Sequence, residues 1–460
     1  MSLIKPRTLK GFPDYLPDRM IPREQLMEKA RRVFRSYGYA PIDTPAVELQ
    51  EVLLAKMSAT AEINRQLYRF QTPGKDDVVL RFDLTVPLAR FAAQYVGPNP
   101  GQIPTPFKRY ALGTVWRGES PQSGRYREFM QCDFDIIGTT ANGADIETAL
   151  VIHDLMAALG LDQFEIRINN RLVLNGLLDE LGLSEKAEGL LRSLDKLAKQ
   201  GPDAVVAEMT ATEKEGSGIS REQADRLIGL AELTGSNDEV LAQVERDFGR
   251  NAKAAEGIAR LRELLNVASA AGIPGHRIKI DLSICRGLDY YTGTIYETFL
   301  LGTGVENGKD KSLESFGSVC SGGRYDNLAK NYTKQELPGV GASLGLDRLL
   351  AVLEAMGRLP KVGTAAPVLV VQFTPERLGD YHRIARVLRA AGIGAEVYPD
   401  SKKIGPQLQY AEKRGFQIAL IAGPDEFAQG TWKLKHLASR TESTVAESEL
   451  SAAIQSLLKV

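Results

Sequence analysis

Phe107-Lys-Arg-Tyr-Ala-Leu-Gly-Thr-Val-Trp-Arg117-Gly-Glu-Ser-Pro-Gln-Ser-Gly-Arg-Tyr-Arg-Glu-Phe129-Met-Gln-Cys-Asp-Phe-Asp-Ile-Ile-Gly138 is rich in β-branched and aromatic residues on both sides of one break, Glu119 to Gly124. Strand-forming runs flanking a Pro- and Gly-containing break predict a long antiparallel hairpin. Its turn region crowds Arg117, Arg125 and Arg127 against Glu119, Glu128, Tyr126 and Phe129. A solvated turn tolerates such charges but gives no reason to flank a loop with Arg117 and Arg125. A planar guanidinium fork binds phosphate, and an aromatic on the adjoining strand can stack a purine. A nucleotide-phosphate site and a charged surface turn are both open at this point.

Working outward, Ile21 to Tyr37 has the apolar stripe of an amphipathic helix that Gly38 ends, followed by an extended stretch from Tyr39 to Pro45. Gln66 to Asp83 reads as strand, Asp145 to Leu159 as helix and Phe164 to Ile168 as strand. Residues 171–272 change character: Leu, Ala, Glu and Lys dominate, with 13 basic and 18 acidic side chains, as in a helical insertion. Strand-like sequence resumes at Arg277 to Leu282, Thr294 to Leu300 and Phe316 to Cys320, ending in a strand and helix from Val340 to Met356. Arg348 stands early in that helix, where free N–H groups and the peptide dipole favour anions. Beyond a linker at Gly357 to Thr364, the pattern β-α-β-α-β from Val368 to Ile421 predicts a small α/β domain with a largely parallel sheet. The expected class is α+β, divided as 1–170 and 273–360 for one body, 171–272 for its insertion and 366–460 for the last domain.

Composition narrows the function. A chain of 460 residues with 43% apolar and 25% charged residues is long enough for two or three soluble domains. Lys+Arg 57 against Asp+Glu 58 is far from the basic balance of a general nucleic-acid binder, so DNA is not an expected partner and any polyanion must meet local patches. The four histidines and three cysteines are scattered without metal-ligand spacing, so no zinc site is expected and the thiols suit a reduced cytoplasm. Neither a signal-peptide run nor 18 consecutive apolar residues occurs, so a membrane is not an expected partner.

Two motifs mislead. Gly341-Ala-Ser-Leu-Gly345 matches a nucleophile elbow between strand and helix, yet only His382 and His436 follow it, both in what reads as another domain. The segment from Gly302 to Lys309 imitates a phosphate loop but misses the required spacing, and reads as a surface loop.

Several segments together carry a resemblance. Pro45 with its preceding helix, Phe107 to Gly138, and Gly339-Val-Gly-Ala-Ser-Leu-Gly-Leu-Asp-Arg348 are similar to motifs 1, 2 and 3 of the class II aminoacyl-tRNA synthetases. Arg286-Gly-Leu-Asp-Tyr-Tyr-Thr-Gly-Thr294 and Cys320-Ser-Gly-Gly-Arg-Tyr-Asp326 resemble segments of the histidyl-tRNA synthetase branch, and the likeness runs along nearly the whole chain. It implies an antiparallel-sheet catalytic domain with a helical insertion, a C-terminal anticodon-binding domain and a homodimer formed through motif 1. It also implies histidine, ATP with Mg2+, and histidine tRNA as substrates and partners.

By the same resemblance, Arg117 would hold the α-phosphate, Arg348 the γ-phosphate, Glu119 the adenine amino group and Phe129 the adenine face, with Arg125 also at the ATP. Arg286 would stand beside the α-phosphate as the catalytic cation. Asp135 and Tyr291 would take the two imidazole nitrogens, and Asp83, Thr85 and Gln131, with Tyr290 alongside, the α-amino group. For Asp135 a purely structural carboxylate is the competing reading. Asp83 replaces the Glu of many bacterial members, and Ser120 stands where some carry an arginine that reads the acceptor end, leaving Gln122 and Arg125 as candidates for that task. In the last domain Lys402, Lys403, Lys413, Arg414, Lys433 and Lys435 could share an RNA-facing surface or decorate solvated faces. The regulatory paralogue of ATP phosphoribosyltransferase, the rival within this fold, lacks the anticodon domain and loses residues of the two histidine-specific segments that this chain keeps.

Overall fold

The structure, a computed structural model, describes residues 3–55, 65–212, 216–285, 290–306, 308–359 and 362–458. It divides into two compact units, Met1–Pro13 with Leu26–Arg358, and Asp14–Gln25 with Leu359–Val460.

In the first unit β1 (Ala40–Pro41) precedes a small sheet of β2 (Val47–Leu49), β3 (Arg69–Gln71) and β4 (Asp77–Leu80). There follow β5 (Phe107–Trp116), β6 (Glu128–Ile137), β7 (Phe164–Asn170), β8 (Ile278–Ile280), β9 (Thr294–Leu300), β10 (Thr303–Glu306), β11 (Lys309–Ser312), β12 (Cys320–Tyr325) and β13 (Gly339–Gly345). Eight strands form one sheet in the order β1-β5-β6-β13-β12-β9-β7-β8. Every pairing from β5 across to β7 is antiparallel, while β1 and β8 join the two ends in parallel.

The expected hairpin is β5 and β6, paired from Phe107↔Ile137 to Trp116↔Glu128. Because successive strand side chains alternate faces, β6 presents two chemistries. Cys132, Phe134 and Ile136 are buried, and the Phe134 ring lies 5.2 Å from Phe34 and 5.6 Å from Tyr39. Gln131, Asp133 and Asp135 occupy the other face, opposite Gly345, Ser343 and Gly341 of β13.

Residues 171–270 carry helices and no strand among those described, starting at Arg171–Glu180 and ending at Ala252–Ala270. Reciprocal capping by Ser220 with Gln223 and Ser236 with Glu239 satisfies free N–H groups where two of these helices begin. No helix among the described residues is long and apolar enough to cross a membrane.

The second unit has β14 (Val368–Val370), β15 (Ala395–Val397), β16 (Ile418–Ile421), β17 (Thr431–His436) and β18 (Glu442–Ala446), in the order β15-β14-β16-β17-β18. Its sheet is mixed, not largely parallel: β14, β15 and β16 run parallel, but β17 and β18 add two antiparallel pairings. Trp432 and Leu434 of β17 point into the core with Tyr381, Leu388 and Leu450.

Two further expectations are corrected in the first unit. The segment read as a surface loop is largely the hairpin β10–β11. Leu313–Phe316 is a short 3-10 turn, and the strand expected from Phe316 to Cys320 begins only at Cys320.

Candidate active site

One face of the main sheet floors a cavity of about 320 Å³ whose wall and floor include Asp83, Gln131, Asp133, Asp135, Tyr290 and Tyr291, with Thr85 beside them. A second hollow of about 220 Å³ lies next to it and is lined by Glu119 and Phe129. Arg117, Arg125 and Arg348 line both, so the two are parts of one site. The site thus has a carboxylate-rich end and an arginine-rich end.

The acidic end is built by strand register. Arg109 of β5 faces Asp135 of β6, which faces Gly341 of β13. Only glycine suits that last position, because a Cβ on Gly341 would overlap the Asp135 carboxylate and the Phe134 carbonyl. The Arg109 side chain is 1% exposed and its Nη2 lies 2.7 Å from Asp135 Oδ2, although the approach lacks the alignment of a hydrogen bond. Tyr325 donates its hydroxyl to Asp135 Oδ1. Burial raises the Asp135 pKa, and Arg109 and then the Tyr325 hydrogen bond oppose that rise. Asp135 is therefore both structurally paired and at the cavity, and two partners leave a carboxylate room for another donor.

Asp83 accepts from the Val86 N–H at 3.1 Å, at the start of helix Thr85–Tyr95, and from the Tyr290 hydroxyl at 3.4 Å. Burial pushes its pKa up to about 6 against the Val86 hydrogen bond and the Arg117 charge. Gln131 donates through Nε2 to Ser343 Oγ at 3.0 Å, which turns its Oε1 away from that partner. Among the described residues Gln131 Oε1 and Asp133 Oδ1 are buried without a hydrogen-bond partner. Polar atoms buried in this way are costly unless something completes them.

The tyrosines are held from β12. Thr292 takes a backbone bond to the Arg324 carbonyl at 2.8 Å and donates its hydroxyl to Asp326 at 2.6 Å. Arg324 is itself buried and paired with Asp145 and Asp326. Gly323 lets the chain pass close by, since a Cβ there would stand 2.9 Å from the Thr294 carbonyl and 3.1 Å from the Tyr291 ring. The segment from Cys320 to Asp326 is thus a brace for Tyr290 and Tyr291.

At the other end Arg348 is largely buried and donates to the Ser318 carbonyl. Burial, and then the Arg125 and Arg117 charges, lower its pKa to about 10. Three guanidinium groups that repel one another in a cleft are a standing site for a polyanion. Arg117 donates to the Phe82 carbonyl at 2.9 Å, and its guanidinium lies 5.2 Å from the centre of the Phe129 ring. Gly124, at φ +70°, lets the hairpin loop settle onto Arg348 and Ala351.

Every residue expected at the site and described here lines one of the two hollows, and Arg286 lies outside the described residues. Ser343, the serine of the apparent nucleophile elbow, is inside strand β13, bonded to Gln131 and in register with Asp133, and no histidine lines either hollow among the described residues. Sequence reading passed over Arg109, Asp133 and Tyr325. The i, i+2 spacing of Gln131, Asp133 and Asp135 was the available signal for Asp133.

A family model described as histidyl-tRNA synthetase matches residues 11–349, and one described as anticodon binding domain matches 368–457. A histidine–tRNA ligase from Rhodopirellula baltica is 54% identical over 446 residues, covering 97% of this chain and 96% of its own. The chain belongs to the histidyl-tRNA synthetase family. A second relative of that name, from Wolinella succinogenes, is 42% identical over 95% of both chains. The crystal structure of histidyl-tRNA synthetase from Nostoc sp. PCC 7120 superposes with a TM-score of 0.84 at 34% identity, covering 99% of this chain and 100% of its own. A Bacillus halodurans structure titled ATP phosphoribosyltransferase regulatory subunit/histidyl-tRNA synthetase shares the fold at 22% identity, with a TM-score of 0.70.

Within the family's anticodon-binding portion, some of the expected basic residues are already paired. Lys433 lies 2.7 Å from Glu426, Lys435 2.6 Å from Glu442 and Lys402 3.0 Å from Asp400. Each of these pairs has at least one exposed partner, and ion pairs at a protein surface are weak.

Proposed function

We propose that this chain joins the histidine carboxylate to the α-phosphorus of ATP, expelling diphosphate, and then passes the histidyl group from the adenylate to the 3′-terminal adenosine of histidine tRNA. The observation that carries the reading is the polarity of the site: acceptors on Gln131 and Asp133 without a hydrogen-bond partner among the described residues at one end, Arg117, Arg125 and Arg348 at the other. An amino acid brings N–H donors to the first, and ATP brings phosphate oxygens to the second.

In this reading Asp83, Thr85, Gln131 and Tyr290 hold the α-amino group, and Asp135 and Tyr291 hold the imidazole. A site with paired polar groups rejects substrates that leave them unsatisfied, by about 10⁴ to 10⁵. Arg117 and the catalytic Arg286 neutralise charge gathering on the α-phosphate oxygens, which is where preorganised cations speed phosphoryl chemistry. Arg348 and Arg125 hold the outer phosphates. Phe129 stacks the adenine and Glu119 accepts its amino group.

Among the described residues no group of three or more His, Cys, Asp or Glu is gathered to hold a metal. Mg2+ accompanying ATP would neutralise phosphate charge beside Arg117, Arg125 and Arg348. The partition of 1–170 and 273–360 as catalytic domain, 171–272 as insertion and 366–460 as anticodon reader belongs to the same proposal, as do a homodimer and a cytoplasmic location.

Transfer of labelled histidine to total tRNA tests the function. Label should appear on histidine tRNA alone and require an intact terminal ribose; ATP-dependent labelling of another tRNA, or none, would refute it.

A further inference from the structure

Asp133 has no task in the reading above, yet it sits in the cavity between two residues that do. It shares the β6 face with Gln131 and Asp135 and pairs in register with Ala111 on β5 and Ser343 on β13. The residue is 2% exposed, Ser343 faces it on the neighbouring strand, and its Oδ1 has no hydrogen-bond partner among the described residues. The Gln131 Nε2 bond to Ser343 Oγ leaves Gln131 Oε1 without a partner, and strand alternation puts Asp133 on the same face of the floor.

Charge decides what these acceptors suit. Arg109 is a buried cation at this end, and its Nη2 stands 2.7 Å from Asp135 Oδ2. That pair is neutral overall and suits the uncharged imidazole. Asp133 feels Arg109 too, but is pushed the other way by Asp135 and Asp83, and among the described residues it shares that one cation with Asp135. A buried carboxylate that shares its counter-ion either takes up a proton or gains from an arriving cation. The α-ammonium of an amino acid is the cation that the substrate supplies, with three N–H donors.

We propose that Asp133 is a substrate-binding residue: with Gln131 Oε1 it accepts N–H bonds from the α-ammonium of histidine, so the amino group is read from the floor of the sheet as well as by Asp83. The proposal rests on the histidine-activating reading. It adds to that reading the charge requirement at the amino group.

The test compares histidine with imidazolepropionate, which lacks only the ammonium. Asp133→Asn is near-isosteric and removes a buried charge; Asp133→Ser is the second variant. In ATP–diphosphate exchange either variant should raise the KM for histidine by about 10- to 100-fold, the worth of a charged hydrogen bond. The KM for ATP should not change, and inhibition by imidazolepropionate should stay within about twofold of the unsubstituted protein. Equal weakening of both ligands, an unchanged KM for histidine, or failure of both variants to fold would overturn the proposal. Absence of histidine-dependent exchange in the unsubstituted protein would instead defeat the reading on which it rests.

Discussion

Replacing Asp133 by asparagine is expected to stabilise the catalytic unit above neutral pH while weakening its hold on histidine. Burial lifts the Asp133 pKa from 3.8 to about 7, against the opposing charge of Arg109. A carboxyl group raised on folding binds more protons in the native than in the unfolded chain, so stability falls as pH rises between those two values. A rise of roughly three pH units corresponds to a loss of about 4 kcal/mol once both states are ionised. Asparagine keeps nearly the same shape and carries no charge, so it escapes that loss. The variant should match the parent near pH 4, gain stability as pH rises, and level off about 2–4 kcal/mol above it by pH 8. Urea unfolding across that pH range measures this, read at the transition that ATP and histidine shift, since ligand binding identifies the catalytic unit. A gain of the same size at pH 5 and pH 8, or a loss at pH 8, would refute the placement there of a carboxylate that shares its counter-ion. The trade between stability and substrate affinity is common where a site keeps a group waiting for its ligand.

Other outcomes follow from the same geometry. Arg348→Ala should raise the KM for ATP at least about tenfold and leave that for histidine nearly unchanged, because the proposed function gives Arg348 the outer phosphates and its bond in the structure goes to the Ser318 carbonyl; steady-state exchange separates the two. Gly341→Ala forces a methyl group onto the Asp135 carboxylate, so calorimetric titration should show histidine binding largely lost, with about 1–3 kcal/mol of destabilisation in urea unfolding. Arg286→Ala should retain histidine binding but lose exchange by about 10²- to 10³-fold, as when a preorganised transition-state donor is removed; near-normal exchange would remove Arg286 from the chemistry.

The parts of the fold legible in the sequence are those where one local signal dominates. The β5–β6 hairpin was readable because ten-residue strand-forming runs flank a break containing Pro121 and Gly124. Strand β12 was not, because Cys320-Ser-Gly-Gly-Arg-Tyr325 carries glycines that weaken strand propensity. Those glycines are there for close approach: a Cβ on Gly322 would overlap the Gly341 carbonyl of β13, and one on Gly323 would press on Tyr291. In β17, Trp432-Lys-Leu-Lys435 alternates as a half-buried strand should, but its lysines drew attention toward RNA phosphates and away from Glu426 and Glu442 beside them.

At the site, arginines flanking a loop were visible as a phosphate signal, since charge around a turn needs a reason. Arg109 and Asp133 were invisible as a functional pair of neighbours because their meaning depends on cross-strand register, which brings Arg109 to Asp135 and Asp133 to Ser343. Residue type alone does not say which carboxylate stands against the buried cation and which only shares it.

ATP–diphosphate exchange with each standard amino acid offered separately tests most directly that one cavity selects histidine at its acidic end and binds ATP at its arginine end. Exchange above background with histidine alone is the predicted result. Exchange driven by another amino acid, or none with histidine in the presence of ATP and Mg2+, would contradict it.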